Sequence, residues 1–164
     1  TYARDKDACV AVMMLCEVAS WYKKQGKTLW DAMLDMYETY GYFKEGLETI
    51  TLKGMDGAEQ IQQMMADARE NLPQTIGDYK VLAVRDYKTD LRIDMADGSK
   101  SPTGLPTSNV LYYELEDHAW CCVRPSGTEP KIKFYFGVKG ASLADAEDKL
   151  EDLTKGMMAL FDRK

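Results

Sequence analysis

A short turn of unusual composition separates two apolar, strand-like stretches, residues 119–123 and 132–138. The turn reads Arg-Pro-Ser-Gly-Thr-Glu-Pro-Lys over positions 124–131, and its prolines and glycine interrupt any regular element. If both stretches enter one sheet, the chain must reverse here, which predicts an antiparallel hairpin. Gly127 allows a backbone φ above zero, so that consecutive N–H groups could converge on an anion.

The side chains around this turn have the chemistry of a phosphate site. Arg124 can make a bidentate, charge-assisted contact with phosphate oxygens. Ser126 and Thr128 can add hydroxyl donors. Lys131 and Lys133 bring further positive charge to the same place. An ordinary hairpin turn, in which serine, glycine and proline serve only the backbone, explains the composition equally well, so the residues by themselves leave both interpretations open.

Acidic residues outnumber basic ones by 27 to 21, which gives the 164-residue chain a formal net charge of −6. General nucleic-acid binding needs a basic surface, so this balance argues against that function. The basic groups near Arg124 then form a local patch that suits a small anionic ligand. The charged first residues do not resemble a signal peptide, and the longest apolar run, residues 8–16, is too short to cross a bilayer. We expect neither nucleic-acid binding nor membrane association.

The four cysteines do not form the pattern of a disulfide framework. Cys9 and Cys16 lie on a predicted helix, about 10 Å apart by helical rise, which is too far for a disulfide. Cys121 and Cys122 are neighbours in a predicted strand, so their side chains point to opposite faces. Reduced thiols predict a cytoplasmic protein. No Cys-x-x-Cys pair or histidine cluster indicates a metal site in this sequence.

Hydrophobic periodicity predicts two helices, over residues 5–25 and 28–40, before a region of mixed elements. The first helix is apolar on every face in its middle, and Asp5 or Asp7 can cap it. The second begins with Thr28 and Asp31 in a variant of the capping box. The later pattern predicts strands over 47–52, 79–87, 110–115, 119–124 and 131–138, helices over 57–71 and 142–162, and a long irregular loop over 97–109.

This order predicts an α+β fold. We expect a mainly antiparallel sheet with two helices on one face. The two leading helices have no strands of their own to pack on. We therefore divide the chain into residues 1–44 and 45–164, with only the second part forming a complete domain.

The string at 124–131 closely resembles the C-terminal phosphate-binding loop of the α-D-phosphohexomutases, the phosphoglucomutase and phosphomannomutase superfamily. The resemblance continues through Thr-Gly-Leu-Pro at 103–106, Ser-Asn-Val-Leu-Tyr-Tyr at 108–113 and Arg-Asp-Lys-Asp at 4–7, so it covers nearly the whole chain. It implies that the second part is the family's C-terminal domain, a four-stranded, mainly antiparallel sheet with room for one short extra strand. The shape of this domain is similar to that of the TATA-box-binding protein. The leading helices would close the preceding α/β domain, and we expect the chain to be the C-terminal piece of a longer enzyme.

Members of this family interconvert sugar 1-phosphates and 6-phosphates through a bisphosphorylated intermediate. They use a phosphoserine and a Mg²⁺ ion held by an aspartate cluster, and the resemblance implies that both lie upstream of this sequence. We therefore expect no catalytic residue and no metal ligand within the chain, which should be inactive by itself. The loop that selects the sugar also lies upstream, so glucose and mannose phosphates both remain candidate substrates.

The resemblance assigns one task to this chain, which is to hold the phosphate that does not react. Because the substrate binds with either end in the reactive position, a fixed site must hold the distal phosphate in both orientations. The implied phosphate ligands are Arg124, Ser126, Gly127, Thr128 and, where some relatives carry a basic ligand, Lys133. Lys6 matches a lysine that contacts the sugar in related phosphoglucomutases, although a solvated lysine at a helix start is the plainer interpretation.

Three alternatives stand beside phosphoglucomutase: a phosphomannomutase, a non-catalytic module that binds a phosphosugar or another anion, and a nucleic-acid-binding sheet. The net charge disfavours the last, and the upstream sequence would distinguish the others. We also expect the apolar residues of the helix over 5–25, without a partner sheet, to be buried against a second copy of the chain or against its own final domain.

Overall fold

The computed structural model describes residues 6–52 and 56–162. The chain divides into two compact units, Thr1–Gly41 and Tyr42–Lys164. This division lies three residues before the expected end of the first part, at a glycine that ends a helix. That the first unit closes a preceding domain stays a prediction.

The first helix, α1, spans Ala8–Lys23. The Asp7 carboxylate caps it by accepting a hydrogen bond of 3.0 Å from the Val10 N–H. The other expected cap, Asp5, lies outside the described residues. Gly26 follows the helix with φ 73°, a left-handed conformation that glycine adopts without steric cost.

The second helix, α2, spans Leu29–Tyr40 and begins with the predicted capping box. The Thr28 hydroxyl accepts from the Asp31 N–H at 3.1 Å, and the Asp31 carboxylate accepts from the Thr28 N–H at 2.7 Å. Gly41 ends the helix with φ 110°. Both helices therefore begin and end where local chemistry predicts.

The second unit is built on one antiparallel sheet with strand order β1-β8-β7-β6-β3-β4-β5, and β2 pairs with β3 beside this path. The strands are Tyr42–Thr51 (β1), Thr75–Ile76 (β2), Tyr79–Asp86 (β3), Leu91–Asp94 (β4), Lys100–Ser101 (β5), Leu111–Leu115 (β6), Trp120–Pro125 (β7) and Lys131–Gly140 (β8); the helices are Gly57–Glu70 (α3) and Leu143–Phe161 (α4). The predicted α+β class is confirmed, and the sheet is wider than the four strands expected.

The sheet differs from the sequence-based expectation in the start of β1 and in three short strands, β2, β4 and β5, that were not predicted. Strand β1 begins at Tyr42, five residues before the predicted start, and pairs with β8 along its whole length. Its Gly46 lets α4 pack closely, because a Cβ there would lie 3.1 Å from Leu150 Cδ1. The loop expected over 97–109 also contains β5, which pairs with β4.

One hydrophobic core lies between the sheet and the two helices of the second unit. Both helices contribute to it, α3 through Ile61 and Met65 and α4 through Leu153 and Met157. The expected arrangement of two helices on one face is therefore present. The sheet residues in this core include Val81, Leu111, Tyr113, Leu115, Cys121, Val123, Ile132, Phe134, Phe136 and Val138.

Side chains that alternate with the core positions form the opposite, outer face of the sheet. On this face the Tyr112 and Trp120 rings stack with centroids 5.6 Å apart, and the Arg85 guanidinium lies 5.5 Å from the Tyr112 ring centroid. The Trp120 indole covers Gly137, where it occupies the place that a Cβ would take. The stacking of Tyr112 and Trp120 across strands is thus explained by a glycine in the next strand.

Candidate phosphate-binding site

The hairpin formed by β7 and β8 carries the basic residues predicted to bind phosphate. Arg124 pairs directly with Lys133 across the hairpin. Val123 before Arg124, and Ile132 and Phe134 on either side of Lys133, are buried in the core. Alternation therefore directs both basic side chains to the outer face, where they lie side by side.

Residues 126–130 connect the two strands, and we call them the 126–130 loop. The Ser126 N–H donates to the Lys131 carbonyl at 2.8 Å and closes the loop. Inside it, the Thr128 N–H donates weakly to Ser126 Oγ at 3.4 Å. The Leu52 N–H donates to the Pro130 carbonyl at 3.0 Å, which ties the loop to the end of β1. The loop is thus fixed at its base, while its tip makes few contacts of its own.

The positive φ expected at Gly127 is wrong, because this residue is not among those with a left-handed backbone. The chain reverses through a five-residue loop, which needs no left-handed residue at its tip. A Cβ built on Gly127 would meet nothing within 4 Å. Nothing in the described protein therefore requires glycine here, and the open space beside its backbone is available to a ligand.

Two of the three basic charges at this site are uncompensated. Lys131 forms an ion pair of 3.1 Å with Glu129. Neither Arg124 nor Lys133 has a carboxylate within ion-pair distance among the described residues. The charge of Arg124 also acts on the neighbouring Cys122. Burial raises the pKa of Cys122 to about 11, although the positive charge of Arg124 opposes this increase. Two cations that face each other without an anion repel, so this place favours a bound anion.

Helix α3 begins beside the 126–130 loop. A Cβ on Gly57, its first residue, would lie 2.9 Å from the Leu52 carbonyl oxygen and 3.2 Å from Pro130 Cβ, so only glycine permits this approach. The preceding residue, Asp56, makes no side-chain hydrogen bond to the helix start. The first N–H groups of a helix carry partial positive charge, which adds to that of the basic side chains.

A depression of about 340 Å³ lies between the start of α3 and the loop, and we call it the helix-side hollow. Its polar lining includes Gln62 and Asn109, together with Ser126 and Thr128. Arg124 and Lys133 are not part of it. The loop therefore separates a cationic outer side from a polar side whose lining contains no cation. The residues that line the hollow are Ala58, Ile61, Gln62, Asn109, Pro125, Ser126, Gly127, Thr128, Glu129 and Pro130.

A family model described as "Phosphoglucomutase/phosphomannomutase, C-terminal domain" matches residues 69–153, a range that contains the whole β7–β8 hairpin. The chain belongs to this family. The resemblance inferred from the loop sequence is thereby confirmed. Members of this family include the relatives compared below, and the chain spans about a quarter of their length.

The phosphoglucomutase of Staphylococcus aureus (strain bovine RF122 / ET3-1) is 38% identical over 149 residues, which are 91% of this chain and 27% of that protein. The phosphoglucomutase of Staphylococcus haemolyticus (strain JCSC1435) is 35% identical over 137 residues, 84% of this chain and 25% of that protein. The open-form crystal structure of the Paramecium phosphoprotein pp63/parafusin, a phosphoglucomutase, covers 98% of this chain and 28% of its own, with a TM-score of 0.60 and 14% identity. That likeness supports the fold.

In this chain, Lys6 is the one predicted site residue outside the second unit. It is exposed and lies just before α1 in the first unit. The other five belong to the β7–β8 hairpin of the second unit. Among the described residues, no group of three or more His, Cys, Asp or Glu side chains could hold a metal ion. None of the helices in residues 6–52 and 56–162 is both long and apolar enough to cross a membrane.

A network beside the hollow escaped the sequence-based prediction. The Arg69 Nε donates to Asp86 Oδ1 at 3.1 Å, and the Arg69 Nη2 donates to Asn109 Oδ1 at 2.6 Å. Asp86 also accepts from the Lys88 N–H at 3.1 Å, which fixes the turn after β3. Residue types alone could not reveal this network, because Arg69 and Asn109 are 40 positions apart.

Proposed function

We propose that this chain is the substrate-phosphate-binding part of a hexose phosphate mutase, a phosphoglucomutase that interconverts sugar 1-phosphate and 6-phosphate through a bisphosphate. The observation that carries the proposal is the opposed, unpaired cations Arg124 and Lys133 beside the 126–130 loop. The names of its relatives favour glucose phosphate over mannose phosphate as substrate.

Each predicted ligand has a distinct physical task at this site. Arg124 offers two parallel N–H donors to the phosphate oxygens, and Lys133 adds a compact positive charge. The hydroxyls of Ser126 and Thr128 donate to further oxygens. Gly127 leaves the space in which an anion can approach the backbone N–H groups.

The loop acts as an anchor and not as a catalyst. Phosphoryl transfer depends mostly on positioning and on stabilising charge. A phosphate held far from the reacting centre supplies binding energy that orients the other end of the substrate. We assign the phosphoserine and the Mg²⁺ site to other parts of the longer enzyme. The Mg²⁺ would neutralise charge on the transferred group there, and this chain alone would have no mutase activity. Lys6 stays a predicted sugar ligand of the longer enzyme.

The free state of all four cysteines supports a cytoplasmic location, because disulfides persist in oxidising compartments. The acidic net charge of −6 argues against a nucleic acid as partner. The local cations Arg124 and Lys133 support a small anionic partner. We expect a hexose phosphate to be the ligand of this part of the enzyme.

Titration of the 164-residue protein with glucose 6-phosphate, followed by NMR, tests this function. We expect shifts centred on the 126–130 loop and a loss of affinity of tenfold or more in Arg124→Ala, since a hydrogen bond to a charged group contributes about 1.5–3 kcal/mol. Lys133→Ala should also weaken the binding of glucose 6-phosphate. Lys139→Ala is its matched control, because both lysines lie on the outer face of β8. Equal affinity in Arg124→Ala and the unchanged protein would refute the proposed function.

A further inference from the structure

The helix-side hollow has a chemistry different from that of the cationic side of the loop. Its polar groups are the amides of Gln62 and Asn109, the hydroxyls of Ser126 and Thr128 and one carboxylate, Glu129. Amides and hydroxyls both donate and accept, as the hydroxyl groups of a sugar do. Ala58, Ile61, Pro125 and Pro130 supply apolar lining. Such a mixture suits a neutral polyhydroxylated group better than a phosphate.

The amide of Asn109 has only one possible orientation. Its Oδ1 receives a hydrogen bond of 2.6 Å from Arg69. A guanidinium group has donors and no acceptor, so the amide nitrogen of Asn109 cannot take this place. The two amide hydrogens are therefore directed away from Arg69, and they have no acceptor among the described residues. Since Asn109 lines the helix-side hollow, these donors are available to a molecule bound there.

The residue that orients Asn109 is itself firmly held. Besides its bond to Asp86, Arg69 donates from its NH1 group to the Met65 carbonyl at 3.1 Å. The side chains of Arg69 and Asp86 are only 17% and 11% exposed. Two hydrogen bonds thus hold the Arg69 guanidinium, and its third bond fixes the position of Asn109 before a ligand arrives. Donors that are held in place in advance cost little ordering on binding.

We propose that the helix-side hollow receives the hydroxyl groups of the sugar whose phosphate is bound at the 126–130 loop. This inference rests on the proposed function, and it adds a sugar subsite within the C-terminal domain. Asn109 donates to a sugar oxygen, and Gln62 on α3 faces the same group. Ser126 and Thr128 lie between the two sides, so that the phosphate and the sugar meet at the tip of the loop.

Two ligands separate the sugar from the phosphate in the test. Inorganic phosphate and glucose 6-phosphate are titrated into the 164-residue protein, and both affinities are measured by NMR. The unchanged protein should bind glucose 6-phosphate more tightly than inorganic phosphate. Asn109→Ala and Gln62→Ala should each weaken glucose 6-phosphate binding about three- to tenfold, the effect of one lost hydrogen bond. Their affinity for inorganic phosphate should stay within about twofold, because the lost donors do not reach the phosphate.

Gln63→Ala provides a matched control on the same helix. Gln63 adjoins Gln62, but its amide donates to Asp67 at 2.7 Å and it does not line the hollow. Both affinities should therefore stay unchanged in this variant. Should Asn109→Ala disturb the loop, Gln62→Ala decides the matter, because exposed Gln62 makes no hydrogen bond through its side chain within the described residues.

The outcomes separate this inference from the function on which it rests. Arg124→Ala should weaken both ligands, and if it weakens neither, the proposed function is wrong. If Arg124→Ala acts as expected while Gln62→Ala and Asn109→Ala leave glucose 6-phosphate affinity unchanged, the sugar subsite is refuted. An equal loss for both ligands in Gln62→Ala and Asn109→Ala would also refute it, since the hollow would then bind phosphate.

Discussion

Arg124 and Lys133 face each other across the last hairpin of the sheet as a directly opposed pair of cations. Like charges in this arrangement destabilise a sheet by about 0.2–1 kcal/mol. Without phosphate, Lys133→Gln should therefore raise the free energy of unfolding by a similar amount. With phosphate present, the unchanged protein should gain stability by ligand binding, and the variant should lose most of that gain. Urea unfolding with and without phosphate measures both effects.

The opposite signs of these two effects distinguish a binding site from an ordinary charged surface. Lys139→Gln removes the same charge from the same strand and face, together with the contact of Lys139 Nζ with the Phe43 ring, 5.2 Å from its centroid. It should lower the free energy of unfolding by up to about 1 kcal/mol, a change opposite in sign to that of Lys133→Gln, and should leave the phosphate-dependent gain unchanged. Added sodium chloride should reduce the repulsion in the unchanged protein, since salt screens exposed charges. A Lys133→Gln protein that is less stable without phosphate would contradict the expected repulsion.

Substitution by alanine should affect the free energy of unfolding differently at two glycines of the β7–β8 hairpin. A Cβ at Gly127 meets open space, so Gly127→Ala should change the free energy of unfolding by less than about 0.5 kcal/mol while weakening phosphate binding. A Cβ at Gly137 meets the Trp120 indole, so Gly137→Ala should cost about 1–3 kcal/mol. Tryptophan fluorescence and urea unfolding measure the second effect. Unchanged phosphate affinity in Gly127→Ala would show that no ligand uses this space.

The part of the fold that was predictable is the part with local causes. Thr28 with Asp31 determines a helix start from residues three positions apart, and Gly41 determines the end of the same helix. Strands β7 and β8 carry strong alternation around a turn. The four-residue strand β4 has neither a capping residue nor an alternating pattern to reveal it, because all of its residues are only half-buried.

The unpredicted parts depend on contacts between distant positions. Strand β4 follows Asp90, whose carboxylate accepts from the Thr103 N–H at 3.0 Å and from the Gly104 N–H at 3.1 Å, so the 97–109 region is tied to the strand it extends. The start of α3 at residue 57 was predicted, but its position beside the 126–130 loop, which requires Gly57, was not. Five site residues could be named from the loop sequence, but the hollow beside it could not.

The ion pair of Arg69 and Asp86 should contribute much more to stability than an exposed pair. Both side chains are mostly buried, and Asp86→Ala leaves the Arg69 charge without its partner. We expect a loss of about 2–4 kcal/mol in the free energy of unfolding. The control is Glu151→Ala, which breaks an exposed pair with Lys155 and should cost less than about 0.5 kcal/mol. Similar losses in the two variants would contradict this assignment of burial.

The four thiols should divide into two classes of reactivity. Cys9 and Cys16 are exposed, whereas burial raises the pKa of Cys121 far above its usual range and that of Cys122 to about 11. The thiolate is the reactive form, and a pKa raised from 9.0 to about 11 lowers its fraction near neutral pH about 100-fold. At protein concentrations low enough to keep the chain monomeric, iodoacetamide should label Cys9 and Cys16 first, as mass spectrometry would reveal. Rapid labelling of Cys122 in the folded protein would contradict this.

The apolar surface of α1 predicts self-association of the 164-residue protein. Val12, Met13 and Leu15 are 61%, 71% and 57% exposed, although each would gain about 1.5–3 kcal/mol from full burial. We expect a second copy to cover this helix, so that sedimentation velocity shows a dimer whose fraction grows with concentration. Met13→Glu should shift the protein to monomer without loss of helix, because glutamate is a good helix former.

A charge at an apolar position elsewhere serves as the control for that substitution. Leu105 in the second unit is 53% exposed, and Leu105→Glu should leave the dimer intact. Because exposed single leucines are common on protein surfaces, only the contiguous apolar helix should drive association. A protein that stays monomeric at every concentration would refute the prediction. If Met13→Glu and Leu105→Glu reduce the dimer fraction equally, net charge, rather than α1, controls the association.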